Sequence, residues 1–328
     1  MAKNTKIKKI IVNAIIAVAI SLGSLAILQL FGGNLFLLHK IPPYIYLCTA
    51  VGFLILYLLG GISTKLFLHF LGYNIPYMNA LENFFFGNFF SYITPLYIGG
   101  QPFQIYHLSK IGVKSEDATN FVTTRLFETF VTTLVLDISI INYAINNLGF
   151  LKVGYVLIKI GFVSQFVLTF SVILFMITPK SVMFLLKPFS KFLPVQKAEN
   201  WLEKLRSSVR SIWKKKFYAI IIDAFFWFIN ISIHAIPYYL VFKWFNRSFH
   251  MNFFKFLSLL SLVNTVAYYA PTPGASGGIE GMYQLVFSPI VGSEAVGAAI
   301  LLWRIFSYYI PILIGLIFIW RIRDWVLS

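Results

Sequence analysis

Apolar residues in this chain come in long unbroken runs, not at the alternating or one-face spacing of a soluble domain. Six runs, 10–31, 43–64, 117–145, 153–177, 217–242 and 294–319, are each long enough to form a helix across roughly 30 Å of hydrocarbon. Two further apolar stretches are interrupted. The stretch 77–113 is broken at Pro95, Gly99, Gly100 and Pro102, and 251–291 at Pro271, Pro273, Gly274, Gly277 and Gly278. Neither arm of either stretch spans comfortably. Each predicts a re-entrant hairpin, with a half-helix in, a Gly/Pro tip and a half-helix out. Irregular backbone at membrane depth is tolerated only where protein or a water-filled cavity surrounds it.

The two interrupted stretches match. Pro95, Gly99, Gly100, Ser115 and Glu116 recur 178 residues later as Pro273, Gly277, Gly278, Ser293 and Glu294, and Arg125 recurs one residue out of step as Arg304. Each half then holds two spanning helices, a hairpin and a third spanning helix. Three crossings is an odd number, so the second half starts on the opposite side and is inverted. The expected fold is an all-α polytopic membrane protein of two inverted-topology repeats, each with three spanning helices and a re-entrant broken-helix hairpin. Residues 1–328 form one membrane domain, with the first repeat in 1–150, the second in 151–328, and a basic connector at about 180–216.

Composition agrees. Hydrophobic residues are 59% of the 328 and charged residues 12%, about half the charge of a soluble domain. The basic start (Lys3, Lys6, Lys8, Lys9) leads into an apolar run too long for a signal peptide, followed by a loop at Gly32, Gly33 and Asn34. It reads as a retained first helix. The single cysteine, Cys48, excludes an intrachain disulfide and a cysteine-based metal cluster. The net charge of +16 is not a nucleic-acid signal, because ten of the 27 Lys and Arg lie in 180–216, between spans. Orientation and anionic lipid account for it better.

With the N-terminus in the cytoplasm, the inner side also receives Lys65, Lys110, Lys114, the connector, Arg321 and Arg323. The outer side keeps Lys40, Lys152, Lys243, Arg247 and Lys255. Both termini are therefore expected inside a bacterial cytoplasmic membrane. In the connector, Trp201, Leu205, Val209 and Ile212 recur at helical spacing among Lys and Arg. This predicts an amphipathic helix on the inner leaflet.

The tips are where chemistry is expected. A half-helix beginning there exposes unpaired N–H groups and the positive end of its dipole. The returning helices are expected to start near Gly99, Gly100 and Gln101 in one half and near Gly277 and Gly278 in the other, forming an anion-binding centre. Arg125 and Arg304 lie nine or ten residues into their spans, roughly 14 Å along the helix. Such depth demands a partner or a wet cavity. Glu128, one turn after Arg125, and Glu280, just after the second tip, are the candidate partners. The guanidinium forks suit a phosphate; two purely structural ion pairs are the alternative. Asp137 and Asp223 are placed near the interfaces, and His234 is read as a core hydrogen-bonder. Ser276 has no G-x-S-x-G context. There is no metal-ligand spacing and no phosphate loop, so no cofactor or metal is expected.

Gly99-Gly100-Gln101-Pro102, with Ile111-Gly112-Val113 and the Arg125/Glu128 helix, resembles the first signature of the lysylphosphatidylglycerol synthase transmembrane-region, or flippase-like, family. Pro271-Thr272-Pro273-Gly274, Gly277-Gly278-Ile279-Glu280, Leu302-Trp303-Arg304 and Tyr308-Tyr309-Ile310-Pro311 resemble the second. In the common second signature glycine is richer; here Ala275 and Ser276 replace part of it. The resemblance implies translocation of polar-headed lipids between leaflets. No soluble stretch follows the last span before Ser328, so it also implies a free-standing member that does not make the lipid.

The functional expectation is a lipid flippase and not an enzyme. It would hold the headgroup phosphate of a phospho- or aminoacyl-phospholipid with the half-helix N-termini and both arginines, with Glu128 and Glu280 balancing them or meeting a cationic headgroup. The alternative is a transporter of polyprenyl-phosphate carriers or of a small soluble anion. Expected partners are membrane lipids, anionic or lysyl-modified, and not nucleic acid; whether the chain forms a homodimer stays open.

Overall fold

The computed structural model describes residues 2–30, 34–148, 152–177 and 195–319. Gly32 and Gly33, the connector up to residue 194, and Arg321 and Arg323 lie outside the described residues. What is described is helical apart from turns and one isolated β-bridge. Helix α1 runs Ala2–Leu30 and α2 Pro43–Phe70, the latter with Pro at its first turn, where the missing N–H has no intrahelical partner to lose. Next come α3 (Tyr77–Tyr92), α4 (Gly100–Lys110), α5 (Ser115–Leu148) and α6 (Lys152–Ile177). The second half holds α7 (Val195–Lys215), α8 (Phe217–Phe245), α9 (Phe253–Ala267) and α10 (Gly278–Val291). It closes with α11 (Ser293–Arg304), a π-helical turn (Ile305–Tyr309) and α12 (Ile310–Ile317).

Among the described residues, five helical stretches are long and apolar enough to cross a membrane: Ile7–Leu30, Pro43–Phe70, Ser115–Ala144, Phe217–Phe245 and Ser293–Ile317. The sixth expected crossing, 153–177, is helical as α6. The π turn follows Arg304 directly and lies just before Pro311, whose ring removes one i→i−4 bond; a widened turn is a common accommodation.

The interrupted stretches fold as helical hairpins. Across the first, Asn83 Nδ2 donates to the Gln104 carbonyl at 3.0 Å, and the Phe90 and Phe103 rings stack at 4.7 Å. As one residue number rises its partner's falls, so α3 and α4 run antiparallel. Gly100 permits the closest approach: a Cβ there would collide with Ser91 Oγ and the Gly87 carbonyl. In the second hairpin Tyr283 Oη donates to Asn264 Oδ1 at 2.7 Å, and Phe256 lies 5.8 Å from Phe287. The four arms have 16, 11, 15 and 14 residues. At 1.5 Å per residue the longest reaches about 24 Å, short of the ~30 Å hydrocarbon thickness.

The connector helix differs from its expectation. Leu205, Val209 and Ile212 are buried. The stripe faces protein: Ile212 belongs to the same cluster as Phe121 and Val122 of α5 and Ile220 of α8. Ser208 Oγ donates to Asp117 Oδ1 and receives Asn120 Nδ2, and Trp201 Nε1 reaches Ser115 Oγ at 3.3 Å. Tyr73, in the loop before α3, donates to Asp117 Oδ2 at 2.6 Å. Burial first, then the Asp117 carboxylate, pushes the Tyr73 phenol up to about 12, so it stays a donor at neutral pH. The apolar stripe is thus already covered, while Lys204, Arg206, Arg210, Lys214 and Lys215 face outward.

Candidate functional site

The two tips share one backbone path. In the first, Leu96 (φ 55°) and Tyr97 (φ 57°) are left-handed; in the second, Gly274 (φ 58°) and Ala275 (φ 47°) are. These positions are 178 residues apart, as are the helix starts Gly100 and Gly278. Three of the four residues carry a Cβ that disfavours this region. Strain of this kind persists only where its surroundings impose it. The surroundings include the other tip: Pro95 and Pro273 form an antiparallel bridge, and the Tyr97 and Tyr268 rings meet edge-on at 5.3 Å.

Leu96 is nearly half exposed, so Leu96→Gly removes strain with little loss of burial. Relief of about 1–2 kcal/mol set against Gly's extra unfolded-chain entropy of about 0.5–1 kcal/mol predicts a net gain of up to ~1.5 kcal/mol. Unfolding in mixed micelles, followed by Trp fluorescence, reads it; a loss of stability would mean that the Leu96 side chain itself holds the tip.

Below the first tip lies a cavity of about 150 Å³. The start of α4 (Gly100, Gln101), Arg125 and Glu128 of α5 and Asp223 of α8 line it. Arg125 Nε donates to Asp223 Oδ2 at 2.9 Å and its Nη2 to Oδ1 at 3.1 Å, a two-pronged pair. Nη1 reaches Thr64 Oγ1 at 3.1 Å, Nη2 also donates to Ser63 Oγ, and Ser63 donates to Asp223. Phe121 lies under the guanidinium at 4.3 Å. The acid on Arg125 is therefore Asp223, which the sequence reading had put near an interface. Glu128, the expected partner, is 3% exposed, receives no donor on either oxygen, and lies against Asp223.

The second cluster is closed. Arg304 is 0% exposed, donates from Nε to Glu280 Oε1 at 3.0 Å and from Nη1 to the Gly274 carbonyl at 2.9 Å, and packs over Tyr308. The other Glu280 oxygen accepts the Gly277 N–H at 2.8 Å, so the start of α10 is capped by the protein's own carboxylate. Gly277 has φ 89°, the left-handed path that glycine alone adopts cheaply. The position equivalent to Glu280 in the first half is Pro102; there the Gly99 N–H is accepted by the neutral Thr94 hydroxyl at 2.9 Å, so no carboxylate sits at the start of α4.

The predicted residues thus fall into two groups. Gly100, Gln101, Arg125 and Glu128 share the cavity, with Gly99 as the cap of α4; Gly277, Gly278, Glu280 and Arg304 build the second tip outside it. The sequence of one family, described as the lysylphosphatidylglycerol synthase TM region, matches residues 14–315. The chain belongs to that family. The lysylphosphatidylglycerol synthase TM region therefore covers both hairpins and both arginines of this protein. Neither the curated proteins nor the solved structures gave a match.

Of the remaining polar residues, His234 Nδ1 accepts from Trp303 Nε1 at 3.1 Å. Asp137 is fully buried in the protein and accepts from Ser261 and Thr265, both at 2.8 Å. Ser276 Oγ donates to the Pro273 carbonyl, which leaves it no activating base. Ser63 and Thr64 carry no signal in the sequence, and Asp223 is named there without its role at Arg125. The available signal was Asp223 itself, since an acid on an otherwise apolar span must find a cation or water.

Proposed function

We propose that this protein moves polar-headed phospholipids between the leaflets of a bacterial cytoplasmic membrane, as a transporter and not as an enzyme. The bridge between Pro95 and Pro273 carries the reading. Antiparallel pairing of two equivalent residues is what a two-fold axis through the tips produces, and inverted repeats related by such an axis are the build of many secondary transporters. Each hairpin would then be re-entrant, one from each side.

The headgroup phosphate would approach the start of α4 at Gly99, Gly100 and Gln101, beside Arg125, where the only side-chain acceptor on the Gly99 N–H is the uncharged Thr94 hydroxyl. Helix N-termini favour anions through N–H groups and dipole together. Arg304 and Glu280 pair with one another, and their part is to hold the second tip rigid with Gly277 and Gly278. The cavity is smaller than the ~300–1,000 Å³ of typical ligand sites. It admits several waters, so a headgroup enters only after the hairpins part. Acyl chains stay in the bilayer throughout.

The test is purified protein in liposomes that contain phosphatidylglycerol labelled on an acyl chain, with a membrane-impermeant quencher outside. Inner-leaflet label should become quenchable. Quenching confined to the outer leaflet in well-folded proteoliposomes would end the proposal. The small cavity favours one other reading, transport of an inorganic anion; uptake of labelled phosphate without lipid exchange would select it.

A further inference from the structure

Glu128 is the one described carboxylate at this site left without a donor. Arg125 and Ser63 spend their donors on Asp223, so both Asp223 oxygens are supplied. Glu128 is buried, has no donor on either oxygen, faces the cavity and abuts Asp223. The charged groups that face it are Arg125 from α5 itself and Asp223 from α8. Among the described residues α2, α3 and α4 bring only neutral side chains to the cavity, and α6 and α7 bring none.

Two carboxylates and one guanidinium leave one negative charge in excess, and both carboxylates are almost wholly buried. Burying an unpaired charge costs several kcal/mol, whereas two like charges in contact relieve themselves by sharing a proton. A metal cation is the poorer answer, because it would sit beside the Arg125 guanidinium and needs several oxygen ligands. No group of three or more metal-ligating side chains occurs among the described residues.

We propose that Glu128 holds an exchangeable proton that it donates to Asp223, and that this proton and an anionic headgroup bind together. The inference deepens the transport reading and rests on it for the coupling, though not for the proton. Protonated, the cluster is neutral and the start of α4 is free to attract a phosphate. When Glu128 ionises, its proton passes to water in the cavity and the new carboxylate repels the same phosphate. Linkage is reciprocal: the proton favours the anion as much as the anion favours the proton. One proton moving with each lipid makes the pH gradient a driving force for headgroup movement.

Two measurements decide it. Infrared difference spectra of the whole protein in nanodiscs, taken between acid and alkaline pH, should show a protonated-carboxyl C=O band. That band should lose a component in Glu128→Gln and keep it in Asp137→Asn. A Glu128→Gln spectrum identical to wild type overturns the proton site. The second measurement needs no variant. In wild-type proteoliposomes with labelled phosphatidylglycerol, a gradient of one pH unit should shift the leaflet ratio by about tenfold at steady state. Exchange that proceeds without any shift overturns the coupling and leaves lipid movement standing. Absence of exchange at every pH refutes the transport reading, and the infrared band still decides the proton.

Discussion

Glu280→Ala should lower the stability of the folded protein by about 3–5 kcal/mol, because it strands the Arg304 guanidinium in a site without water. Arg304 is fully buried, and Glu280 is its acidic partner. The change also frees the Gly277 N–H at the start of α10. The double variant Glu280→Met with Arg304→Met should recover most of the loss, since apolar replacements of similar volume remove both desolvation penalties at once. Unfolding in mixed micelles, with Trp fluorescence as the probe, measures both. A single-variant loss below ~1 kcal/mol, the range of exposed pairs, would show that water reaches the guanidinium and that the second tip is not sealed.

Arg125→Ala should act on transport more than on folding. Its side chain is 16% exposed and borders the cavity, so water can replace it, and Asp223 keeps the Ser63 hydroxyl. Lipid exchange should fall on the order of 100-fold, the effect of losing ~3 kcal/mol of a charged contact at the barrier. Arg125→Lys should restore only part of it, because an ammonium cannot serve Asp223 through two prongs and still reach Thr64. Exchange at the wild-type rate by a well-folded Arg125→Ala would remove this residue from the transport path.

Much of this architecture was legible in the sequence, for a physical reason. Pro and Gly punctuate a membrane helix wherever they fall, so the breaks at Pro95, Gly99, Pro273 and Gly277 announced both hairpins. The 178-residue offset reappears in the backbone as paired left-handed residues, Leu96 with Gly274 and Tyr97 with Ala275. Side-chain pairing was less legible. Glu128 stands three residues after Arg125, the spacing at which helical neighbours meet, yet the guanidinium reaches across to α8 and takes Asp223 from 98 residues away. Local spacing says who can meet on one helix and nothing of a competitor on another.

The connector carries a different lesson. An amphipathic stripe reports that an apolar face must be covered, not by what. Asp117 and Asn120, which hold Ser208, decide for protein, and their role appears only once α5 and α7 lie side by side. The inequality of the two tips was present but unread: Glu280 stands where the first half has Pro102.

The contact between the tips is a sheet one residue long. Such a bridge involves at most a pair of hydrogen bonds, each contributing about 0.5–1.5 kcal/mol net. A longer ladder would have welded the halves together. In the proposed transport cycle this one would serve as a latch, which must part together with the Tyr97–Tyr268 ring contact before a headgroup enters.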